Sequence, residues 1–170
     1  MKRKEMNDAE AIHRIGHMYY TGMLGLPQDN HRATELFQKA AELGSIDAHH
    51  ALSIAYNIGL GVERDILKGI HHLQLAAVGG HEGARYNLGQ VNKCISDEDI
   101  NGMDRAMKHW MIAAKSGCND SLKEVGKGYR AGYITKDEYA STLRAHQTSQ
   151  DEMKSEQRKV AESYDDIPFL

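Results

Sequence analysis

The chain has 170 residues, a formal net charge of −3 and 26% charged residues, which argues against a generic nucleic-acid binder with its basic surplus. Apolar residues make up 41%, enough for a core, and two prolines with sixteen glycines suit helices punctuated by glycine turns rather than a β fold. No run of about eighteen apolar residues occurs, and the basic start MKRKEMNDAEA has no apolar h-region, so neither a membrane span nor a secretory signal is expected.

The first helix is predicted to begin near Asn7 or Asp8, either of which can cap it, with Ile12, Ile15 and Tyr19 as its apolar stripe. Gly22 and Gly25 end it, and LPQDN turns the chain. Asp29 or Asn30 then caps a second helix with Ala33, Leu36, Phe37, Ala40 and Ala41 on its apolar face, stopped by Gly44. A second hairpin spans about Asp47 to Gly80, with Leu52, Tyr56 and Gly59 on its first helix. Asp65 caps its second, which carries Ile70, Leu73, Ala76 and Ala77.

In the third copy Asn92 replaces the tyrosine, and its second helix is expected from Asp104 to Ser116 around Trp110. A fourth first-helix follows through Ser121, Val125, Tyr129 and Gly132. Thr135 with Glu138 forms a capping box opening a long polar helix from Lys136 to about Ser163. Its stripe of Tyr139, Leu143, His146, Gln150, Met153, Gln157, Val160 and Tyr164 resembles a heptad pattern weakened by polar residues. We read this helix as a terminal cap rather than a dimerising coiled coil.

These elements repeat on one clock. Ala11, Ala48, Ala84 and Ser121 stand 37, 36 and 37 residues apart, and Gly44, Gly80 and Gly117 recur with them. A period in the mid-thirties marks a stacked helical-pair array. Small residues such as Ala11, Gly16, Ala33, Ala40 and Ala41 are expected at the seams between helices, with Tyr19, Tyr56 and Tyr129 filling the gaps. The predicted organisation is a single repeat domain over 1–170, with repeats at about 8–44, 45–80, 81–117 and 118–145. A helical extension follows to about 163, then a tail over 164–170.

The pattern A-x-x-x-L-G-x-x-Y-x-x-G, a turn ending in Asp, then A-A-x-x-G, is similar to the Sel1-like repeat, a relative of the tetratricopeptide repeat. Ala11, Ile15, Gly16, Tyr19, Gly22, Asp29, Ala33 and Gly44 carry it in the first copy. Ala48, Leu52, Tyr56, Gly59, Gly61, Val62, Asp65 and Lys68 carry it in the second, with Ser53 in place of glycine. Ala84, Leu88, Gly89, Ala106, Trp110 and Gly117 carry it in the third. The resemblance implies an all-α, right-handed α/α superhelical solenoid with a long C-terminal capping helix, a scaffold without chemistry of its own.

Candidate chemistry is sparse. His13 and His17 share a helical face and could chelate a metal, with Glu10 near, but we read them as solvent-facing or groove-lining. Asp97, Asp99, Asn101 and Gly102 match half a calcium loop, yet the twelfth position is Lys108 instead of glutamate. Cys94 and Cys118 lack CxxC or zinc spacing and read as free thiols of a reducing compartment, cytoplasm or nucleus. No P-loop, GxSxG or HExxH is present.

In tetratricopeptide-like arrays the first helices line the concave side. Counting from the L-G pair places His13, His17, Tyr20, His50, Ile54, Asn57, Tyr86, Gln90, Lys93, Lys123, Lys127 and Arg130 in that groove, polar-aromatic at one end and basic at the other. The expected function is a non-enzymatic adaptor, a monomer without cofactor or metal, that holds a protein or peptide with an acidic segment. Alternatives are a histidine-based metal-binding protein or enzyme, and a nucleic-acid binder using the basic end.

Overall fold

The computed structural model describes residues 2–94 and 101–165, with side chains over 8–94, 101–157 and at Lys159. Among the described residues every regular element is a helix. They are α1 (Lys2–Thr21), a 3-10 turn (Met23–Gly25), α2 (Asn30–Glu42), α3 (Ile46–Ile58), α4 (Ile66–Val78), α5 (Glu82–Cys94), α6 (Gly102–Lys115), α7 (Asn119–Arg130) and α8 (Lys136–Asp165). The chain divides into two compact units, 1–88 and 89–170.

The caps follow from local chemistry. Asp29 accepts a hydrogen bond from the Arg32 amide at 2.9 Å, and Asp65 accepts one from the Lys68 amide at 3.0 Å. The capping box closes as expected: Thr135 N–H donates to Glu138 Oε2 at 2.8 Å, and the Glu138 amide donates to Thr135 Oγ1 at 3.3 Å. The repeating glycines end the helices in one corner geometry. Gly44, Gly80 and Gly117 have φ of 91°, 99° and 107°, a left-handed conformation that a side chain would strain. At each, the glycine amide reaches back three residues and the following amide five, as in Ser45 N–H to Ala40 at 2.9 Å and Cys118 N–H to Ala113 at 3.1 Å.

In the first unit Ala33, Phe37, Ala40, Ala41, Ala48 and Leu52 form one buried cluster, with Ile12, Tyr19, Tyr20 and Tyr56 packed against it. Small residues let the helices approach as expected: a Cβ on Gly16 would stand 2.8 Å from the Phe37 ring. Ser53, which replaces the matching glycine, turns its hydroxyl onto the His50 carbonyl at 2.7 Å. The close approach then passes to Gly69 of α4, which lies against Asn57 and the Ser53 carbonyl.

In the second unit Trp110 is 1% exposed and buried with Ala106, Met107, Ala113, Ala114 and Val125. A Cβ on Gly89 would overlap its indole. Asn92, in the tyrosine's place, accepts from Arg105 Nε at 3.0 Å. Thirteen residues also separate Tyr19 from Arg32, whose guanidinium sits 4.5 Å over the Tyr19 ring, so the third copy exchanges a stacking partner for a hydrogen-bonding one.

Several boundaries and burials differ from the sequence expectation. α1 begins at Lys2, since KRKEM consists of good helix formers and nothing in it stops the helix before Asn7. Ile15 is 44% exposed and Ala11 is exposed, whereas Ala9 and Gly16 are buried. Their equivalents Ala48 and Leu52 are buried in the cluster with Ala33, Phe37 and Ala40 of α2. α6 starts at Gly102, so Asp104 lies in its first turn, where a negative charge suits the helix dipole. Tyr129 is 37% exposed and stacks on Tyr139 at 4.7 Å between ring centroids, a stacked surface pair in place of the expected gap filler. Asp97, Asp99 and the tail from 166 lie outside the described residues, and the stripe positions Val160 and Tyr164 lie beyond the described side chains.

Candidate functional site

Five of the residues counted into the groove meet in one pocket. In the first unit a cavity of about 400 Å³ is lined by His13, His17 and Tyr20 of α1 and by His50 and Ile54 of α3. Phe37, Asp47, Ala51, Leu60 and His81 complete the lining. The helical period brings this about, since positions three and four apart on α1 share a face and those on α3 share the face opposite.

Rings dominate the pocket. His13 packs on Phe37 at 5.5 Å and His17 meets Tyr20 edge-on at 6.0 Å. His50 stacks on His81 with centroids 4.1 Å apart and 23° between planes. Burial, reinforced by the neighbouring His81, lowers the His50 pKa to about 4. Burial also lowers that of His13, with Asp47 opposing and His17 reinforcing the shift.

Both nitrogens of His81 are engaged. Its Nδ1 accepts the Ala84 amide at 3.1 Å, capping α5 as the Ser45 hydroxyl caps α3 through the Ala48 amide at 3.2 Å. With Nδ1 an acceptor, the ring proton sits on Nε2, which lies 3.8 Å from Asp47 Oδ1. The sequence count missed His81 and Asp47, which sit at or just after the start of a first helix. The signal available was their place after the corner glycines Gly80 and Gly44.

Asn57 is directed elsewhere: its amide lies over Gly69 in the α3–α4 seam, and its carbonyl accepts Arg64 Nε at 2.9 Å. Tyr86 and Gln90 are half-buried on α5 and are not among the lining of this pocket. A more open hollow of about 850 Å³ lies along residues 59–65, bordered by His31, Tyr56 and Lys68. There Lys68 is tied to Asp65 at 3.5 Å.

In the second unit Lys93 and Lys127 border a small cavity of about 170 Å³ over Trp110, Met107 and Tyr133. Both ammonium groups face Glu124, at 3.8 and 2.5 Å, and Lys123 pairs with Asp120 at 2.8 Å. Arg130 is exposed at the end of α7. The expected basic end is therefore matched largely by carboxylates, and an acidic ligand there would have to displace Asp120 and Glu124.

Elsewhere in the first unit His49 Nδ1 and His72 Nδ1 lie 3.0 Å apart, one donating and the other accepting. Among the described residues no group of three or more His, Cys, Asp or Glu is placed to hold a metal ion. Cys94 and Cys118 are free thiols, and no described helix is long and apolar enough to cross a membrane.

Comparison with known proteins adds a family pattern. A Sel1 repeat model matches residues 9–45 and 46–81, within one residue of the first two predicted repeats. Protein SHC1 of Saccharomyces cerevisiae is 30% identical over 144 residues, covering 79% of this chain and 28% of that protein. Chitin synthase regulator SKT5 of the same yeast is 30% identical over 138 residues, covering 77% of this chain and 19% of that protein. The chain thus spans less than a third of the length of either relative. A solved Sel1 repeat protein from Oxalobacter formigenes superposes with a TM-score of 0.66 at 24% identity, covering 86% of this chain and 60% of that one, a likeness of fold.

Proposed function

We propose that this chain, whose residues 9–45 and 46–81 match the Sel1 repeat, is a non-enzymatic adaptor whose first helices hold an extended segment of a partner protein. The observation that carries this reading is the convergence of His13, His17, Tyr20, His50 and Ile54, up to 41 residues apart, on one open pocket. Ring-lined pockets are where side chains of a bound segment anchor. The engaged nitrogens of His81 support the non-catalytic part. Nδ1 takes a backbone amide and Nε2 carries the ring proton, so the His81 ring has no free lone pair to offer a substrate. SKT5 is by name a chitin synthase regulator, and a regulatory role suits an adaptor.

A photo-crosslinking side chain at Ile54 tests the reading against one at Lys39, on the exposed face of α2. Partner adducts from Ile54 that vanish with His17→Ala are the expected result. Equal adducts from Lys39, or adducts from Ile54 unaffected by His17→Ala, would count against the groove.

A further inference from the structure

The pocket's charge is asymmetric. Asp47 is the one carboxylate in its lining, and neither lysine nor arginine lines it. The Asp47 side chain is 60% exposed, so it is open to a guest. A second hollow of about 320 Å³ shares Asp47 and His81 with the first and adds Glu10, extending the acidic rim.

Around that carboxylate stand ring faces. Tyr20 and His17 offer the π surfaces over which a flat cation is attracted. His81 directs its protonated Nε2 at Asp47 without reaching hydrogen-bond distance, leaving carboxylate lone pairs unclaimed. A carboxylate guest would meet Asp47 with no cation in the lining to offset it. A purely aliphatic guest would leave Asp47 unused and partly desolvated. The volume, near the lower end of the ~300–1,000 Å³ usual for ligand pockets, suits one long side chain rather than a cofactor.

We propose that this pocket receives an arginine or lysine side chain of the extended partner segment, with Asp47 as its counter-ion. The inference rests on the groove reading above and adds the chemistry of the anchor. Guanidinium is the better guest, since it is planar, less strongly hydrated than ammonium, and pairs with a carboxylate through two parallel N–H donors.

The histidines make the site acid-sensitive in a defined direction. His13 faces Glu10, Arg14, His17 and Asp47, and His50 faces His81 and Asp47. Burial keeps His13 and His50 uncharged at neutral pH. Protonating them as the pH falls would put positive charge beside the guest and weaken its binding.

The test uses the full chain and four acetylated, amidated pentapeptides of alanine with Arg, Lys, Gln or Glu at the centre, followed by amide NMR. The Arg and Lys peptides should shift α1, α3 and His81 resonances, with the Glu peptide at least tenfold weaker. Asp47→Asn should weaken the Arg peptide about fivefold, as an exposed ion pair allows, and Asp47→Glu should restore it. Equal affinity of the Gln or Glu peptide, or Arg binding unchanged in Asp47→Asn, overturns the cationic anchor while leaving the groove reading in place. Absence of pocket shifts with all four peptides overturns both. Circular dichroism of each variant separates lost binding from lost fold.

Discussion

His146 Nδ1 lies 2.8 Å from the carbonyl oxygen of Ala114, thirty-two residues earlier, while its Nε2 lies 3.1 Å from the Asn119 side chain. One turn further along α8, Gln150 donates to the Gly117 carbonyl at 2.9 Å. Carbonyls at and just past a helix end have spare acceptor capacity, and these two polar side chains use it: Ala114 O, which also takes the Gly117 amide at 3.0 Å, and Gly117 O in the corner after α6. The polar residues that dilute the heptad-like stripe are thus the ones that fasten α8 as a cap.

His146→Leu should therefore destabilise the second unit. His146 is 7% exposed, and an apolar replacement removes both of its hydrogen bonds, at a cost of about 1–3 kcal/mol for the pair. Urea unfolding followed by Trp110 fluorescence reads that unit, and an unchanged midpoint would contradict the latch.

Gly89→Ala sets two effects against each other. Alanine favours a helix over glycine by about 1 kcal/mol, but the added carbon would overlap the buried Trp110 indole. Overpacking typically costs about 1–3 kcal/mol, so sterics should win and stability should fall. A rise in melting temperature would mean that the seam accommodates a methyl group.

The caps give a graded series. Ser45→Ala removes the hydroxyl that accepts the Ala48 amide and should cost about 1 kcal/mol. Asp65→Ala acts in the same direction with a pH signature. Hydrogen bonding, chiefly from the Lys68 amide, holds the Asp65 carboxyl below its ordinary 3.8. Its stabilisation is therefore present above 3.8 and lost as the pH falls below it. Chemical denaturation from pH 7 to pH 2.5 should bring wild type and variant together at the acid end.

The pocket histidines predict acid lability at a higher pH. The unfolded His50 titrates near 6.5 and the folded one at about 4, so the unfolded state takes up protons first as the pH drops between those values. Melting temperature should fall across that interval, and His50→Phe should flatten the decline there. A wild-type profile level from pH 7 to pH 4 would contradict the burial argument.

Much of this was legible in the chain itself. Periodic glycines and alanines encode the hairpins because corner and seam are local requirements, and the match at 9–45 and 46–81 falls on the predicted repeats. The count from the L-G pair gathered five pocket residues because helical phase is set by sequence spacing alone. Asn57 was counted into the groove but lies over Gly69 in the α3–α4 seam, a close approach between helices that no spacing rule contains. The cations of α7 misled for a similar reason: Asp120 and Glu124, three residues before Lys123 and Lys127, are adjacent on the helix and pair with them. Ile15 fits the apolar stripe yet is 44% exposed.

The left-handed glycines at 44, 80 and 117 leave a different kind of consequence. Each hairpin leaves its second helix through the same bond pattern, and the next begins one residue later. A gene encoding such joints can gain or lose a whole period of 36 or 37 codons without inventing a new junction. Within a period, by contrast, a single-residue slip rotates every seam residue off its face. The corners thus make this protein tolerant of change in whole modules and intolerant of it in fractions.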